Sequence, residues 1–250
     1  ALYGLEVDPE REVTVTCGAT EAMAAALMAL VNPGERVVVP EPFYENYGPD
    51  AVLCGAEPVH VPMGDGETID LEAFEEAFDD SVRAIVLNTP NNPTGRVLSR
   101  SELEGIAELC RRHGAWAVTD EIYEHILYEG EHVPIATLPG MRGRTITISG
   151  ASKTFSVTGW RIGTVVAPPE VSGAIRKVHD FLTVGAPAPL QEGIAAGLEE
   201  LGEDYYRTLA EDYRIRRDIL CGALADAGFG CERPAGAYYV LADFSGLDER

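Results

Sequence analysis

The 250-residue sequence is 46% hydrophobic and 24% charged, a balance that gives a globular chain enough apolar side chain for a sizeable core. Its net charge of −22, with Lys153 and Lys177 as the only lysines, leaves no basic patch for a nucleic-acid backbone. No apolar run approaches the roughly 20 residues that cross a bilayer, and Ala1-Leu2-Tyr3-Gly4 does not open a signal peptide. We therefore expect no nucleic-acid partner and no membrane. The cysteines, at positions 17, 54, 110, 221 and 231, are odd in number and match no zinc spacing. They read as reduced core thiols of a cytoplasmic protein without a metal site.

Along the chain, short β-branched runs alternate with longer helical periods, the pattern of an α/β sheet with helices on its faces. Strands are predicted at Val13–Cys17, Arg36–Pro40, Glu57–Val61, Arg83–Asn88, Ala115–Asp120, Arg144–Ser149 and Ile162–Ala167. Between the first two, Thr20–Val31 is rich in Ala, Leu and Met and stops at Asn32-Pro33-Gly34, so it reads as a helix. Asp70 is positioned to cap a helix over Leu71–Phe78. Ser99 with Glu102 has the spacing of a capping box for a helix ending near His113-Gly114. A long charged helix, Asp204–Ala227, then leads to a predicted strand at Ala237–Asp243. We place a domain boundary near residue 200: residues 1–200 a large domain, residues 201–250 the beginning of a smaller α+β domain. Residue 1 falls inside what reads as an element, and the last residues stop soon after the second sheet begins. Both ends are expected to belong to a longer chain.

Five segments carry candidate chemistry. Lys153 follows an apolar strand and is flanked by small residues, Gly150-Ala151-Ser152 and Thr154, which leave room for a bulky group near its amine. A lysine held out of water or near other cations has a lowered pKa and can form a Schiff base. Arg161, in Thr158-Gly159-Trp160-Arg161, opens the last predicted strand and can grip a phosphate through two parallel hydrogen bonds. Cys17-Gly18-Ala19-Thr20 joins a strand to a helix start, where free amides and the helix dipole favour an anion. Asn88-Thr89-Pro90-Asn91-Asn92-Pro93-Thr94-Gly95 and Asp120-Glu121-Ile122-Tyr123 both lie at strand carboxyl ends, where open α/β sheets bind ligands. Asp120 closes an apolar strand, so its carboxylate calls for a partner, and a cationic ring nitrogen would suit it.

The order and spacing of these segments resemble the class I/II aminotransferases of the fold-type-I pyridoxal-phosphate enzymes. Asn92–Gly95 meets the family's N-P-x-G, Asp120–Tyr123 its D-E-x-Y, and Ser152-Lys153 with Arg161 its S-K-x(7)-R. The resemblance implies a three-layer α/β/α large domain with a mostly parallel mixed sheet, and pyridoxal 5′-phosphate as cofactor. It implies Lys153 as the Schiff-base lysine that moves the Cα proton, and Asp120 as the carboxylate on the pyridine nitrogen. Tyr123 and Asn92 would hydrogen-bond the ring's 3′ oxygen, and Tyr44 would stack on the ring. Gly18, Ala19, Thr20, Ser152 and Arg161 would form the phosphate cup. Some relatives have a serine three places before the lysine; here that place is Gly150, so one donor of the cup is missing. The same likeness implies cis peptides at Glu41–Pro42 and Asn92–Pro93, amino acid and 2-oxo acid substrates, and a homodimer. A carbon–sulfur lyase or decarboxylase of the same fold, or a non-catalytic sensor domain, is the alternative. Family members continue to an arginine for the substrate carboxylate and begin with a segment that closes the site. Neither lies in these 250 residues, so we expect them to bind cofactor and to turn over poorly alone.

Overall fold

A computed structural model describes residues 2–64 and 68–247. Residues 1 and 248–250, the outer limits of the two expected domains, lie outside the described residues. The first half of the chain forms α1 (Pro9–Glu12), β1 (Val13–Thr16), α2 (Ala19–Leu30), β2 (Arg36–Glu41), α3 (Tyr47–Leu53), β3 (Glu57–Pro62), α4 (Leu71–Ala77), β4 (Val82–Asn88), α5 (Arg100–His113) and β5 (Trp116–Asp120). The second half forms β6 (Thr145–Gly150), α6 (Ala151–Thr154), β7 (Gly163–Val166), α7 (Pro169–Thr183), α8 (Ala188–Glu200), α9 (Glu203–Asp226), β8 (Gly230–Cys231) and β9 (Ala242–Asp243).

β1 to β7 make one sheet in the order β1-β7-β6-β5-β4-β2-β3. β2, β3, β4, β5 and β6 run parallel, while β7 runs antiparallel to both of its neighbours, β6 and β1. This is the α/β fold that the alternating pattern predicts, with the mostly parallel mixed sheet that the resemblance implies. Both faces are covered, which is why the middle strands are continuous apolar runs rather than alternating ones. Val37, Val38 and Val39 are all fully buried. Successive side chains point to opposite faces, so Val37 and Val39 join the layer of α2 and α7, with Leu27 and Ile175. Val38 joins the other layer, with Phe74 of α4 and Leu103 and Ile106 of α5.

The predicted caps form. Asp70 accepts from the amides of Glu72 and Ala73. Ser99 and Glu102 make the reciprocal capping box, and Glu102 also accepts from the Ile69 amide at 2.7 Å and pairs with Arg96 at 3.0 Å. Two expectations are corrected. Ala237–Asp243 is not one strand: only Ala242–Asp243 pairs, with Gly230–Cys231. Ala237 takes φ 55, which is incompatible with an extended strand, and Tyr238 and Tyr239 pack against Tyr123 instead. Nor are the cysteines all core residues. All five are free thiols, but only Cys110 is buried; the rest are half-buried. Among the described residues no helix is long and apolar enough to cross a membrane.

Candidate active site

Because β4, β5 and β6 are parallel, their carboxyl ends meet at one edge: Asn88 stands opposite Asp120, and Gly150 leads straight into α6 and Lys153. β7 is the exception that completes this edge. Running the other way, it begins where its neighbours end, with Gly163 opposite both Gly150 and Thr16. Arg161, just before β7, is thereby brought against the turn after β1. A cavity of about 230 Å³ opens there, lined by nine of the ten residues predicted for the site: Ala19, Thr20, Tyr44, Asn92, Asp120, Tyr123, Ser152, Lys153 and Arg161. The tenth, Gly18, packs against the Arg161 guanidinium.

At one end of the cavity Asp120 is buried. Its Oδ2 accepts from the Tyr47 hydroxyl at 2.8 Å and its Oδ1 from the Ile122 amide at 3.2 Å. Burial pushes its carboxyl up to about 6, with the Tyr47 and Ile122 hydrogen bonds pulling the other way. The Asn88 side chain donates to the Asp120 carbonyl at 2.8 Å, and its oxygen accepts from the Asn92 amide at 2.7 Å, tying the two strand ends together. Within the doubled asparagine the roles divide. Asn91 builds the loop, accepting from the amide and hydroxyl of Thr94, while Asn92 faces the cavity. The cis peptides Glu41–Pro42 and Asn92–Pro93 are present, together with a third at Thr89–Pro90. Tyr123 is buried and donates to the Tyr239 hydroxyl at 3.1 Å; burial and that contact keep its hydroxyl protonated. Tyr44 meets Tyr47 edge-on, with ring centres 5.7 Å apart.

The opposite end gathers hydrogen-bond donors of the kind that suit an anion. Gly18 is the N-cap of α2, with φ 86 and no side chain to cap the helix, so the first amides of α2 have no acceptor within the helix. Arg161 leans over this turn, reaching the Thr20 hydroxyl at 3.4 Å and the Thr158 carbonyl at 3.3 Å. A Cβ at Gly18 would lie 2.4 Å from the Arg161 guanidinium. One at Gly163 would lie 2.4 Å from the Gly18 carbonyl carbon. Both glycines are required for β7 and the turn to approach this closely. The Ser152 hydroxyl is buried and has no hydrogen-bond partner. Lys153 lies between the two ends, its Nζ 5.4 Å from the centre of the Tyr238 ring. Arg161 does not open the strand as expected. It precedes β7 in a left-handed conformation, φ 52, which turns its side chain across Gly18.

Sequence reasoning missed Tyr47, Asp50, Tyr238 and Tyr239. Tyr47 and Asp50 lie on one face of α3, where a tyrosine reads as core and an aspartate as surface. The tyrosine pair was hidden in the segment predicted as a strand.

The aminotransferase class I and II family model matches residues 1–250. The chain is 42% identical over 246 residues to the probable N-succinyldiaminopimelate aminotransferase of Mycobacterium tuberculosis, covering 96% of this chain and 62% of that one. It is 37% identical over 263 residues to human kynurenine–oxoglutarate transaminase 1, covering 98% and 62%. The solved M. tuberculosis N-succinyldiaminopimelate aminotransferase superposes with a TM-score of 0.95 at 40% identity, covering 98% of this chain and 65% of that chain. Thermus thermophilus aspartate aminotransferase with maleate gives 0.91 at 37% identity, covering 97% and 64%. The chain thus spans less than two thirds of the length of these relatives. From the motifs, the sheet and the family match together, we conclude that this chain belongs to the class I and II aminotransferases.

Proposed function

We propose that these residues form the cofactor-binding core of an aminotransferase that uses pyridoxal 5′-phosphate to move an amino group between an amino acid and a 2-oxo acid. The observation that carries the reading is one cavity with a buried carboxylate at one end, an anion cradle at the other and the Lys153 amine between. The residues fit the cofactor. The unpartnered Ser152 hydroxyl, the Thr20 hydroxyl, the α2 amides and Arg161 make a donor set suited to a phosphate. Asp120, costly to ionise alone, suits a ring nitrogen bearing a proton. When bound, pyridoxal phosphate supplies an aldehyde for an amine to condense with and a ring that withdraws electrons from the substrate Cα.

The chain's own residues do the rest. Asp120, fixed by Tyr47 and the Ile122 amide, keeps a proton on the ring nitrogen. Tyr123 and Asn92, both lining the cavity, would hold the ring through its 3′ oxygen, and Tyr44 would stack against it. Lys153, the only lysine lining the cavity, is the base for the Cα proton. Residues 201–250 begin a smaller domain; Tyr239 from it lines the cavity, and the Tyr238 ring lies beside the Lys153 amine. The exposed Phe181, Leu182 and Val184 at the end of α7 support burial against a second copy, in a homodimer. Five free thiols support a reducing, cytoplasmic setting.

The test is product analysis with a panel of amino acids and 2-oxo acids, on wild type and Lys153→Ala. We expect the matching 2-oxo acid and new amino acid, with the rate falling on the order of 10³-fold or more in the variant. Carbon dioxide or a cleaved side chain as the main product would reassign the reaction to a decarboxylase or lyase. An undiminished Lys153→Ala would refute the role of the amine.

A further inference from the structure

The phosphate-binding turn has no side-chain cap of its own, because its N-cap is Gly18. Three residues on, Glu21 in the first turn of α2 reaches back past the cap. Its Oε2 accepts from the Cys17 amide at 2.5 Å, while the Gly18 amide is taken by the Thr16 carbonyl at 2.8 Å. These two bonds use up the amides before the helix and leave those of its first turn for a ligand. The other oxygen, Oε1, accepts from His179 Nδ1 at 2.8 Å and from the Thr183 hydroxyl at 2.7 Å, both on α7. Glu21 and His179 are buried. Burial pushes the Glu21 carboxyl up, but the hydrogen bonds from Thr183, Cys17 and His179 outweigh it and hold it below its ordinary value. A second tie runs beside the first, from the Cys17 thiol to the Gly185 carbonyl just after α7, at 3.7 Å.

A carboxylate beside an anion site works against the anion electrostatically. Its presence there, with three donors turned toward it, needs a compensating role. We propose that Glu21 is a positioning residue for the phosphate-binding turn, fixing the α2 amides and Thr20 opposite Arg161 by clamping the end of β1 to α7. The proposal rests on the pyridoxal-phosphate reading and makes a claim of its own about sign. If Glu21 acted through charge alone, removing it would tighten phosphate binding; as a clamp, its removal weakens it.

The test titrates apoprotein with pyridoxal 5′-phosphate and, separately, with phosphate-free pyridoxal, following the absorbance of the bound ligand. Glu21→Ala is expected to weaken pyridoxal phosphate about tenfold and pyridoxal less than about twofold, the loss of a buried hydrogen-bond set felt only at the phosphate. Thr183→Val is expected to give a smaller shift of the same kind. Tighter binding of pyridoxal phosphate, equal weakening of both ligands, or no change in either overturns the proposal. Wild-type protein that binds neither ligand overturns the cofactor reading beneath it, a separate result. Should Glu21→Ala not fold, the double variant His179→Gln, Thr183→Val removes only the α7 side of the clamp and is judged by the same comparison.

Discussion

Asp50 shares the cavity with Asp120, and its Oδ2 is buried without a hydrogen-bond partner. Burial pushes its carboxyl up to about 6 from an ordinary 3.8. The native state therefore holds this proton more tightly than the unfolded chain does. The associated stability is complete below pH 3.8 and is lost as pH rises through about 6. Asparagine mimics the protonated acid, so Asp50→Asn should raise stability at pH 7.5 by on the order of 1–2 kcal/mol and change little near pH 3.5. Denaturant unfolding at the two pH values checks this; an unchanged or lower stability at pH 7.5 would contradict it. At this scale the sequence was legible where an ionisable residue stands out from its neighbours, as Lys153 does among small residues and Asp120 at the end of an apolar strand. It was silent where a residue acquires its meaning from a partner far along the chain. Tyr47 matters because it meets Asp120, 73 positions away, and Glu21 because it meets His179, 158 positions away.

The elements follow the same division. All seven strands of the main sheet lie where β-branched runs predict them, within a residue or two; in the middle strands β2, β4 and β5 burial on both faces leaves those runs unbroken. The starts of α4 and α5 were equally readable, since Asp70 and Ser99–Glu102 satisfy orphan amides locally. The direction of β7 was not readable, as nothing within Ile162–Ala167 records which way its partners run. Yet that direction brings Arg161 to the edge where Lys153 and Asp120 emerge. Gly163 is the contact on which it depends. Gly163→Ala would push a Cβ into the Gly18 carbonyl carbon and the Ala19 amide. We expect a loss of about 1–3 kcal/mol in unfolding free energy and weaker cofactor binding. A variant of wild-type stability and affinity would show that β7 and the turn can separate without cost. The segment after α9 misled for a related reason. Its aromatics suit a strand, but a positive φ at Ala237 and the packing of Tyr238 and Tyr239 on Tyr123 turn it into a wall of the cavity.

For the molecule as a whole, the fold that follows from alternating β and α segments is the one the family shares. The chain accounts for 62–65% of the length of the relatives compared above. What these 250 residues contain is the proposed cofactor site, and their composition makes it unusually easy to interrogate. With only Lys153 and Lys177 to compete, a lysine-specific reaction has two possible addresses. Lys177 lies on α7, outside the cavity, and Lys153 lines it. The most direct measurement is reduction of the protein with borohydride in the presence of pyridoxal 5′-phosphate, followed by peptide mapping. A phosphopyridoxyl group is expected on Lys153 and none on Lys177. A label confined to Lys177, or no label on either lysine, would refute the assignment of Lys153 as the cofactor's amine.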